Sequence, residues 1–181
     1  MFSKIVDDEI TLALVQSSFA KEYWAIVEQQ REYLSQWLSW PAMADGEDFF
    51  LQFIKHSLHD YADGKSLTCA ILYHGSVVGN ISFNSINHSL NKVEVGYWLR
   101  QDHQGKGIVS RAVTAFINTA FTDLAMQKVQ ISAAEQNQPS RAVCERLGFS
   151  LEGIISRAEN INGRVVDHAV YGLSREHWLE R

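Results

Sequence analysis

The feature that most constrains the fold of this chain is a glycine loop, residues 103–111, which joins a strand-like segment to the most regular helical pattern in the sequence. The loop contains Gly105 and Gly107. Glycine lets the backbone approach a ligand closely, and the first amides of a helix have no partner inside the helix, so both can face an anion. The loop therefore predicts a phosphate-binding turn between a strand and a helix.

Apolar periodicity on either side of the loop predicts the order of the other elements. Period-two patterns predict strands at residues 9–14, 67–73, 77–83, 92–99 and 128–133, and a closing hairpin at residues 149–157 and 164–173. Helical spacing predicts helices at residues 17–31, 48–61, 109–124 and 137–147. This order indicates an α/β fold in which the middle strands pair antiparallel and a crossover helix feeds a parallel pair. Trp37 and Trp40 are predicted to pack in the core or against helices, with the lining of a substrate groove as the alternative.

Composition excludes several classes of function. The length of 181 residues fits one domain, 1–181. The two cysteines, Cys69 and Cys144, are too few for a disulfide framework, and the seven histidines show no metal-ligand spacing. No segment has the length and apolar character of a signal peptide or a membrane span. We therefore expect a cytoplasmic protein with no metal and no membrane partner.

Charge is unevenly distributed along the chain. The net charge of −5 gives no basic surface for binding nucleic acid through its phosphates, so no nucleic-acid partner is expected. Three cations and one acidic residue lie in or beside the glycine loop: Arg100, Lys106, Arg111 and Asp102. The sequence therefore predicts a basic loop in an otherwise acidic chain, and the acidity favours cationic partners.

Several interpretations of the glycine loop compete, and a plain tight turn is one of them. A Walker loop is excluded because Lys106 is followed by Gly107 rather than by Ser or Thr. A dinucleotide-binding loop is disfavoured because Ser110 stands where a third glycine is needed, although Glu135 could bind a ribose. A cradle for the pyrophosphate of an acyl-coenzyme A is the third candidate site, and the plain turn stays open beside it.

Two sequence blocks resemble the Gcn5-related N-acetyltransferases (GNAT). Residues 104–109, Gln-Gly-Lys-Gly-Ile-Val, resemble the family's Gln/Arg-x-x-Gly-x-Gly/Ala loop and follow a strand that ends in Val-Gly-Tyr-Trp-Leu. Residues 137–149, Asn-Gln-Pro-Ser-Arg-Ala-Val-Cys-Glu-Arg-Leu-Gly-Phe, resemble the family's helix that opens on Asn and closes on Gly-Phe. Within the family the chain is most similar to the RimJ/RimL group, which acetylates N-terminal amines of ribosomal proteins.

The resemblance implies a mixed, mostly antiparallel α/β sheet with flanking helices. A central parallel strand pair, residues 93–99 and 128–133, would splay apart around acetyl-CoA, the co-substrate. The residues implied in cofactor binding are Tyr97, Trp98, Leu99, Gln104, Gly105, Lys106, Gly107, Ile108, Val109 and Asn137. Loop amides would hold the pyrophosphate, and the backbone of residues 97–99 would bind the pantetheine arm and polarise the thioester. Asn137 would contact the cofactor arm, cap a helix, or do both.

The resemblance also implies direct acetyl transfer in a ternary complex. Glu159 matches a glutamate proposed as the base in the RimJ/RimL group, and Ser140 matches a serine assigned as the general acid. From the residues alone, Glu159 could equally be a solvated hairpin charge and Ser140 a first-turn serine. Glu94 and Glu135 are less favoured as bases. Cys144 stands where many members have a tyrosine acid, but that role is not transferred, because cysteines are more often buried than catalytic.

Three functions stay open at this point. The leading one is acetylation of an acceptor amine at the N-terminus of a ribosomal protein. The same chemistry on a small amine, such as a polyamine or an aminoglycoside, is the nearest alternative. A non-catalytic acyl-CoA sensor is the third, in which the loop binds but no base serves an amine. A homodimer is a further expectation from the family.

Overall fold

One eight-stranded sheet forms the centre of the fold in a computed structural model that describes residues 1–180. Its strands are β1 (Ser3–Ile5), β2 (Ile10–Leu14), β3 (Leu67–Tyr73), β4 (Ser76–Asn87), β5 (Lys92–Leu99), β6 (Lys128–Ala134), β7 (Ser150–Ile161) and β8 (Arg164–Ser174). The helices are α1 (Ala20–Leu34), α2 (Glu47–Ala62), α3 (Ile108–Asn118), α4 (Gln138–Arg146) and α5 (Arg175–Leu179). The spatial order of the strands is β1-β2-β3-β4-β5-β6-β8-β7.

A parallel pair lies at the centre of this mostly antiparallel sheet. β5 and β6 run parallel, and every other pair of neighbouring strands in residues 1–180 is antiparallel. A parallel pair requires a crossover connection, and the segment that contains α3 supplies it. The predicted α/β fold, a mixed and mostly antiparallel sheet with flanking helices, is confirmed.

The two parallel strands pair over only part of their length. Their register runs from Lys92 opposite Lys128 to Val95 opposite Ile131. Beyond that point β5 stays bonded to β4 as far as Leu99, whereas β6 stays bonded to β8. The facing edges of β5 and β6 therefore separate, and the backbone groups along the gap are left without a strand partner. This opening positions the candidate site.

Hydrophobic clusters cover both faces of the sheet, because successive side chains of a strand point to opposite sides. On one face, Leu12 of β2 and Ile71 of β3 belong to a buried cluster that includes the apolar stripe of α3. On the other face, Ala13 and Ala70 belong to a second cluster that includes residues of α1 and α2. Helices thus pack on both sides of the sheet around the opening.

The structure differs from the predicted elements where a segment is too short or too irregular to show a periodic pattern of apolar residues. β1 is three residues long and α5 is five, so neither gives a periodic signal. β4 continues to Asn87, past its predicted end at residue 83, because a bulge at Asn84 breaks the alternation. After α3 the helical segment widens into a π-helical turn over Thr119–Asp123.

Candidate active site

The gap between β5 and β6 opens into a cleft of about 1720 Å³ that reaches from the glycine loop to α2. The cleft is lined by every predicted site residue except Lys106: Tyr97, Trp98, Leu99, Gln104, Gly105, Gly107, Ile108, Val109, Asn137, Ser140 and Glu159. The ammonium of Lys106 instead lies 5.4 Å from the centre of the Tyr73 ring. The predicted residues other than Lys106 therefore share one surface, while the chemical roles of all of them stay predictions.

The glycine loop owes its shape to two glycines in the left-handed region. Gly105 has a φ of +76°, and Gly107, the residue before α3, has a φ of +70°. A residue with a Cβ is strained there by about 1–2 kcal/mol. The first backbone bond of the helix joins the Arg111 amide to the Gly107 carbonyl at 3.1 Å. The amides of residues 108–110 therefore have no partner within the helix and are available to an anion in the cleft.

Two of the cations beside the loop are paired with carboxylates. Arg111 Nη1 lies 2.8 Å from both Asp7 Oδ2 and Glu9 Oε2, which the N-terminal segment supplies. Arg100 pairs with Asp102 at 2.7 Å, and its hydrogen bonds hold the pKa of Asp102 well below the usual range for an aspartate. The prediction of a basic loop is corrected accordingly, because these partners neutralise most of its positive charge. Backbone amides, rather than side-chain charge, are what the loop offers to an anion.

Arg146 is a cation at this end of the cleft that the sequence analysis did not identify. It lies in the last turn of α4, lines the cleft, and donates from Nη1 to Ser110 Oγ at 2.8 Å. The contact depends on the packing of α4 against the start of α3, so no local pattern in the sequence indicates it. A guanidinium at this position suits an anion held by the loop amides.

Ser140 lies in the first turn of α4, beside the splayed strands. Its Oγ atom is 3.0 Å from the Tyr97 hydroxyl, and its amide donates to Asn137 Oδ1 at 3.3 Å. The helix-capping role of Asn137 is thereby observed, and its contact with a cofactor stays a prediction. Burial raises the pKa of Tyr97, so its phenol stays protonated and can donate to the Ser140 oxygen.

Cys144 lies one turn further along α4, in the core rather than in the cleft. Its side chain is 0% exposed, and it is absent from the residues that line the cleft. Burial raises the pKa of its thiol to about 12. The position of Cys144 supports a packing role, because an enclosed neutral thiol does not reach the cleft.

Glu159 reaches the cleft from β7, where it contacts a residue that the sequence analysis missed. Its Oε2 atom lies 2.9 Å from His168 Nε2 on β8, and both side chains line the cleft. The two residues are not strand partners, since His168 is opposite Ile155 and Glu159 is opposite Val166. A bulge at residues 156–158 brings them together, and the sequence periodicity does not mark this bulge.

The two alternative bases differ in their access to the cleft. Glu94 of β5 lines it, whereas Glu135 does not. The Glu135 carbonyl accepts a hydrogen bond from Arg141 at 2.9 Å, which ties this residue to α4. Of the three glutamates named from the sequence, Glu159 and Glu94 are therefore the two that could meet an amine in the cleft.

Aromatic side chains form a further part of the cleft lining. They come from α1, α2 and the segment between them: Tyr33, Trp37, Trp40, Phe49, Phe50 and Phe53. The rings of Trp40 and Phe49 are inclined by 20° with centroids 6.4 Å apart, and Trp40 also packs 5.7 Å from Trp98. Trp37 and Trp40 thus line a groove as well as packing against neighbours. The predicted packing and its alternative, the lining of a groove, therefore both apply to Trp37 and Trp40.

Comparison with known proteins identifies the family. Residues 10–150 match the acetyltransferase (GNAT) domain. The chain belongs to the GNAT acetyltransferase family. This match spans the glycine loop and α4, the two segments that carry the resemblance in the sequence, and it confirms that resemblance.

Two relatives and one solved structure of the GNAT family resemble the chain over nearly its whole length. YdaF of Bacillus subtilis (strain 168), provisionally named a ribosomal N-acetyltransferase, is 32% identical over 179 residues, or 98% of each chain. The ribosomal-protein-serine acetyltransferase of Escherichia coli (strain K12) is 28% identical and covers 92% of this chain and 93% of its own. The microcin C7 self-immunity acetyltransferase MccE, solved in complex with acetyl-CoA and AMP, is 32% identical with a TM-score of 0.89. That match covers 93% of this chain and 94% of MccE.

The GNAT chain is therefore an N-acetyltransferase that uses acetyl-CoA. The unpaired amides at the start of α3 suit the pyrophosphate, and the open edges of β5 and β6 suit an extended arm that carries amide groups. Within residues 1–180, no group of three or more metal-ligating side chains lies together. The helices of that region are also too short or too polar to cross a bilayer.

Proposed function

We propose that this GNAT enzyme acetylates the N-terminal α-amine of a protein, and of a ribosomal protein in the first instance. The observation that carries the proposal is the continuity of the cleft, which gives the glycine loop, Ser140 and Glu159 one common surface. The names of the two relatives support a ribosomal acceptor, because both proteins match more than nine-tenths of the chain.

An α-amine suits a site that offers a single carboxylate as base. With a pKa of about 7.7–8.0 it is neutral to roughly a quarter at about pH 7.4, whereas a lysine amine with a pKa of about 10.4 is neutral to about one part in a thousand. Only the neutral amine has a lone pair that can attack a thioester. An N-terminal acceptor therefore needs little assistance from a general base to lose its proton. A carboxylate acting directly or through a water molecule suffices.

The proposed mechanism begins with binding of acetyl-CoA by the backbone. The amides of residues 104–109 hold the pyrophosphate, with Arg146 beside them. The backbone of residues 97–99, on the open edge of β5, binds the pantetheine arm and polarises the thioester carbonyl. Asn137 contacts the arm in addition to capping α4.

Acetyl transfer then takes place in a ternary complex, without an acyl-enzyme. The amine nitrogen forms a bond to the acetyl carbon while Glu159 takes a proton from the nitrogen. The carbon–sulfur bond breaks, and the departing CoA thiolate takes the hydroxyl proton of Ser140. The Tyr97 hydroxyl, 3.0 Å away, stabilises the Ser140 oxygen by a hydrogen bond. The proton on Glu159 then leaves to solvent, and solvent returns a proton to Ser140.

Small amines are the alternative acceptors. The nearly parallel rings of Trp40 and Phe49, together with the AMP in the MccE complex, favour one specific candidate, an amine attached to a nucleotide. A polyamine or an aminoglycoside would suit the acidic net charge of the chain.

Release of the CoA thiol with a panel of acceptors tests the proposal. The panel contains peptides with ribosomal-protein N-termini, the same peptides with a blocked α-amine and a free lysine, spermidine, an aminoglycoside and an aminoacyl-nucleotide analogue. We expect the highest kcat/KM with the free N-terminal peptides and no transfer once the α-amine is blocked. A kcat/KM higher by about tenfold or more with any of the small amines would overturn the proposal.

The proposal extends to location and assembly. We expect the whole chain to act as one acetyltransferase domain in the cytoplasm, where ribosomal proteins are made. We also expect a homodimer, which sedimentation velocity distinguishes from a monomer.

A further inference from the structure

We propose that His168 positions Glu159 for proton transfer, an inference that rests on the function proposed above. The two side chains meet at 2.9 Å, between His168 Nε2 and Glu159 Oε2. An imidazole that carries its proton on Nε2 donates to the carboxylate, and hydrogen bonds to an ionised acceptor are among the stronger ones in proteins. Such a bond fixes the orientation of Glu159 at the edge of the cleft.

Two hydrogen bonds of Asp167, the neighbour of His168 on β8, hold the backbone around the pair. The Asp167 carbonyl accepts from the Glu135 amide at 2.9 Å, and Asp167 Oδ1 accepts from the Arg157 amide at 2.8 Å. The second bond closes the bulge that precedes Glu159, in which Arg157 has a φ of +51°. The bulge is therefore an anchored feature of the hairpin, and it sets Glu159 beside His168.

The contact makes the two carboxylate oxygens of Glu159 unequal. Oε2 is bonded to His168, while Oε1 has no hydrogen-bond partner in the part of the chain that the structure describes, residues 1–180. Oε1 is therefore the atom that takes the proton as the amine nitrogen bonds to the acetyl carbon. Loss of His168 would let the carboxylate rotate, so that a smaller share of enzyme molecules would present Oε1 to the amine.

A second histidine–glutamate pair shows what an ordinary surface contact in this chain is like. His74 Nε2 lies 3.4 Å from Glu9 Oε1, with side chains that are 61% and 39% exposed, outside the cleft. The His168 and Glu159 side chains are 21% and 37% exposed, and their contact is shorter. The lower exposure of the histidine and the shorter distance favour a bond that holds a fixed geometry.

A double-mutant cycle tests whether His168 acts through Glu159. His168→Ala, Glu159→Gln and the double variant are assayed by CoA release at saturating acetyl-CoA, with the best acceptor of the wild-type enzyme. We expect His168→Ala to lower kcat by about tenfold, with KM for acetyl-CoA unchanged, because one charge-assisted bond is lost. In the Glu159→Gln background, the same substitution should change kcat by less than about twofold.

Two further variants separate positioning from folding. His168→Gln keeps an N–H donor and should recover kcat to within about threefold of the wild-type value. His74→Ala removes the histidine of the pair outside the cleft and should leave kcat unchanged. Thermal melting of each variant establishes that the chain is folded under the assay conditions.

Each outcome of the cycle has a distinct meaning. An equal loss of kcat in both backgrounds would overturn the proposal, and so would full activity of His168→Ala. If Glu159→Gln itself had no effect, the base in the proposed function would be wrong and this inference with it. If peptides were inactive and another amine gave the expected kcat values for the single and double variants, the inference would stand and only the proposed acceptor would change.

Discussion

The two ends of the cleft are built in different ways. The cofactor end, where we propose that acetyl-CoA binds, offers mainly backbone amides from one continuous segment, the glycine loop and the first turn of α3. The acceptor end, where we propose that the amine binds, offers side chains from α1, α2, β7 and β8, which are far apart in the sequence. A site made of consecutive backbone groups leaves a motif in the sequence, whereas a site made of distant side chains forms only when the chain has folded.

The C-terminal end of α1 connects the two ends. The Gln104 side chain of the glycine loop donates a hydrogen bond to the Tyr33 hydroxyl. Just after the helix, the Ser35 carbonyl accepts from Asn162 Nδ2 at 3.1 Å, in the turn of the hairpin that carries Glu159. The ends are thus joined but chemically distinct. Substitutions at the cofactor end should change KM for acetyl-CoA, and those at the acceptor end should change kcat.

The largest expected effect is at the acceptor end. Glu159→Gln removes the proposed base and should lower kcat by about 100-fold, the lower limit for general-base catalysis, because an α-amine is already partly neutral. KM for acetyl-CoA should stay within about twofold of the wild-type value, as steady-state kinetics would measure. The matched control is Glu152→Gln, which changes a carboxylate of the same strand that is bonded to Lys128 at 2.6 Å outside the cleft. Full activity of Glu159→Gln would contradict the assignment of Glu159 as the base, and Glu94, the other glutamate at the cleft, would be the next candidate.

The next largest effect should come from the cofactor end. Gly107→Val places a branched side chain at a φ of +70° and should displace the amides of residues 108–110. We expect KM for acetyl-CoA to rise by about tenfold, with a smaller change in kcat. Gly163→Val is the control, since Gly163 has a φ of +91° in a hairpin turn outside the cleft. Similar loss of stability in both variants, with an altered KM only for Gly107→Val, would separate binding from folding. An unchanged KM would show that the loop amides do not hold the cofactor.

These two ends also differ in how far the sequence could predict them. Gly105 and Gly107 could be placed because positive φ leaves few other residues possible, and α3 because its apolar series is continuous. His168 could not be paired with Glu159, since a three-residue bulge shifts the register, and one such shift changes which side chains meet. The roles of Ser140 and Glu159 came from the family resemblance rather than from periodicity or spacing.

The same limit applies to charges and aromatic residues. The number of cations in the glycine loop did not predict its charge in the fold, because Arg111 pairs with Asp7 and Glu9, which are distant in the sequence but near in the structure. The loop sequence also gave no sign of Arg146, which reaches the loop from another helix. Trp40 packs against its neighbours and also lines the cleft, and the sequence could not establish the second role, because apolar pattern alone does not distinguish a core from the wall of a groove.

Arg146→Ala sharpens the comparison by testing whether side-chain charge adds to the backbone amides. A single exposed guanidinium near the proposed pyrophosphate site should contribute modestly, so we expect KM for acetyl-CoA to rise by about threefold at low salt. The difference from wild type should shrink as salt is added, because screening weakens the contact. Lys106→Ala is the control on the loop itself, since the Lys106 side chain lies over Tyr73 and does not line the cleft. A larger effect of Lys106→Ala would reverse the assignment of the two cations.

The smallest effect on activity should come from Cys144→Ala, at a residue next to the cofactor end but buried beneath it. We expect kcat and KM within about twofold of wild type, because the thiol does not reach the cleft.

Burial raises the pKa of the Cys144 thiol from 9.0 to about 12, so above pH 9 the unfolded chain releases a proton that the folded chain keeps. Stability must therefore fall as the pH rises from 9 toward 12, and it should fall less steeply in Cys144→Ala than in the wild-type protein. Chemical denaturation at several pH values measures this difference. A loss of kcat in Cys144→Ala without a loss of stability would instead give the thiol a role in catalysis, and the cofactor end would then depend on a side chain as much as the acceptor end does.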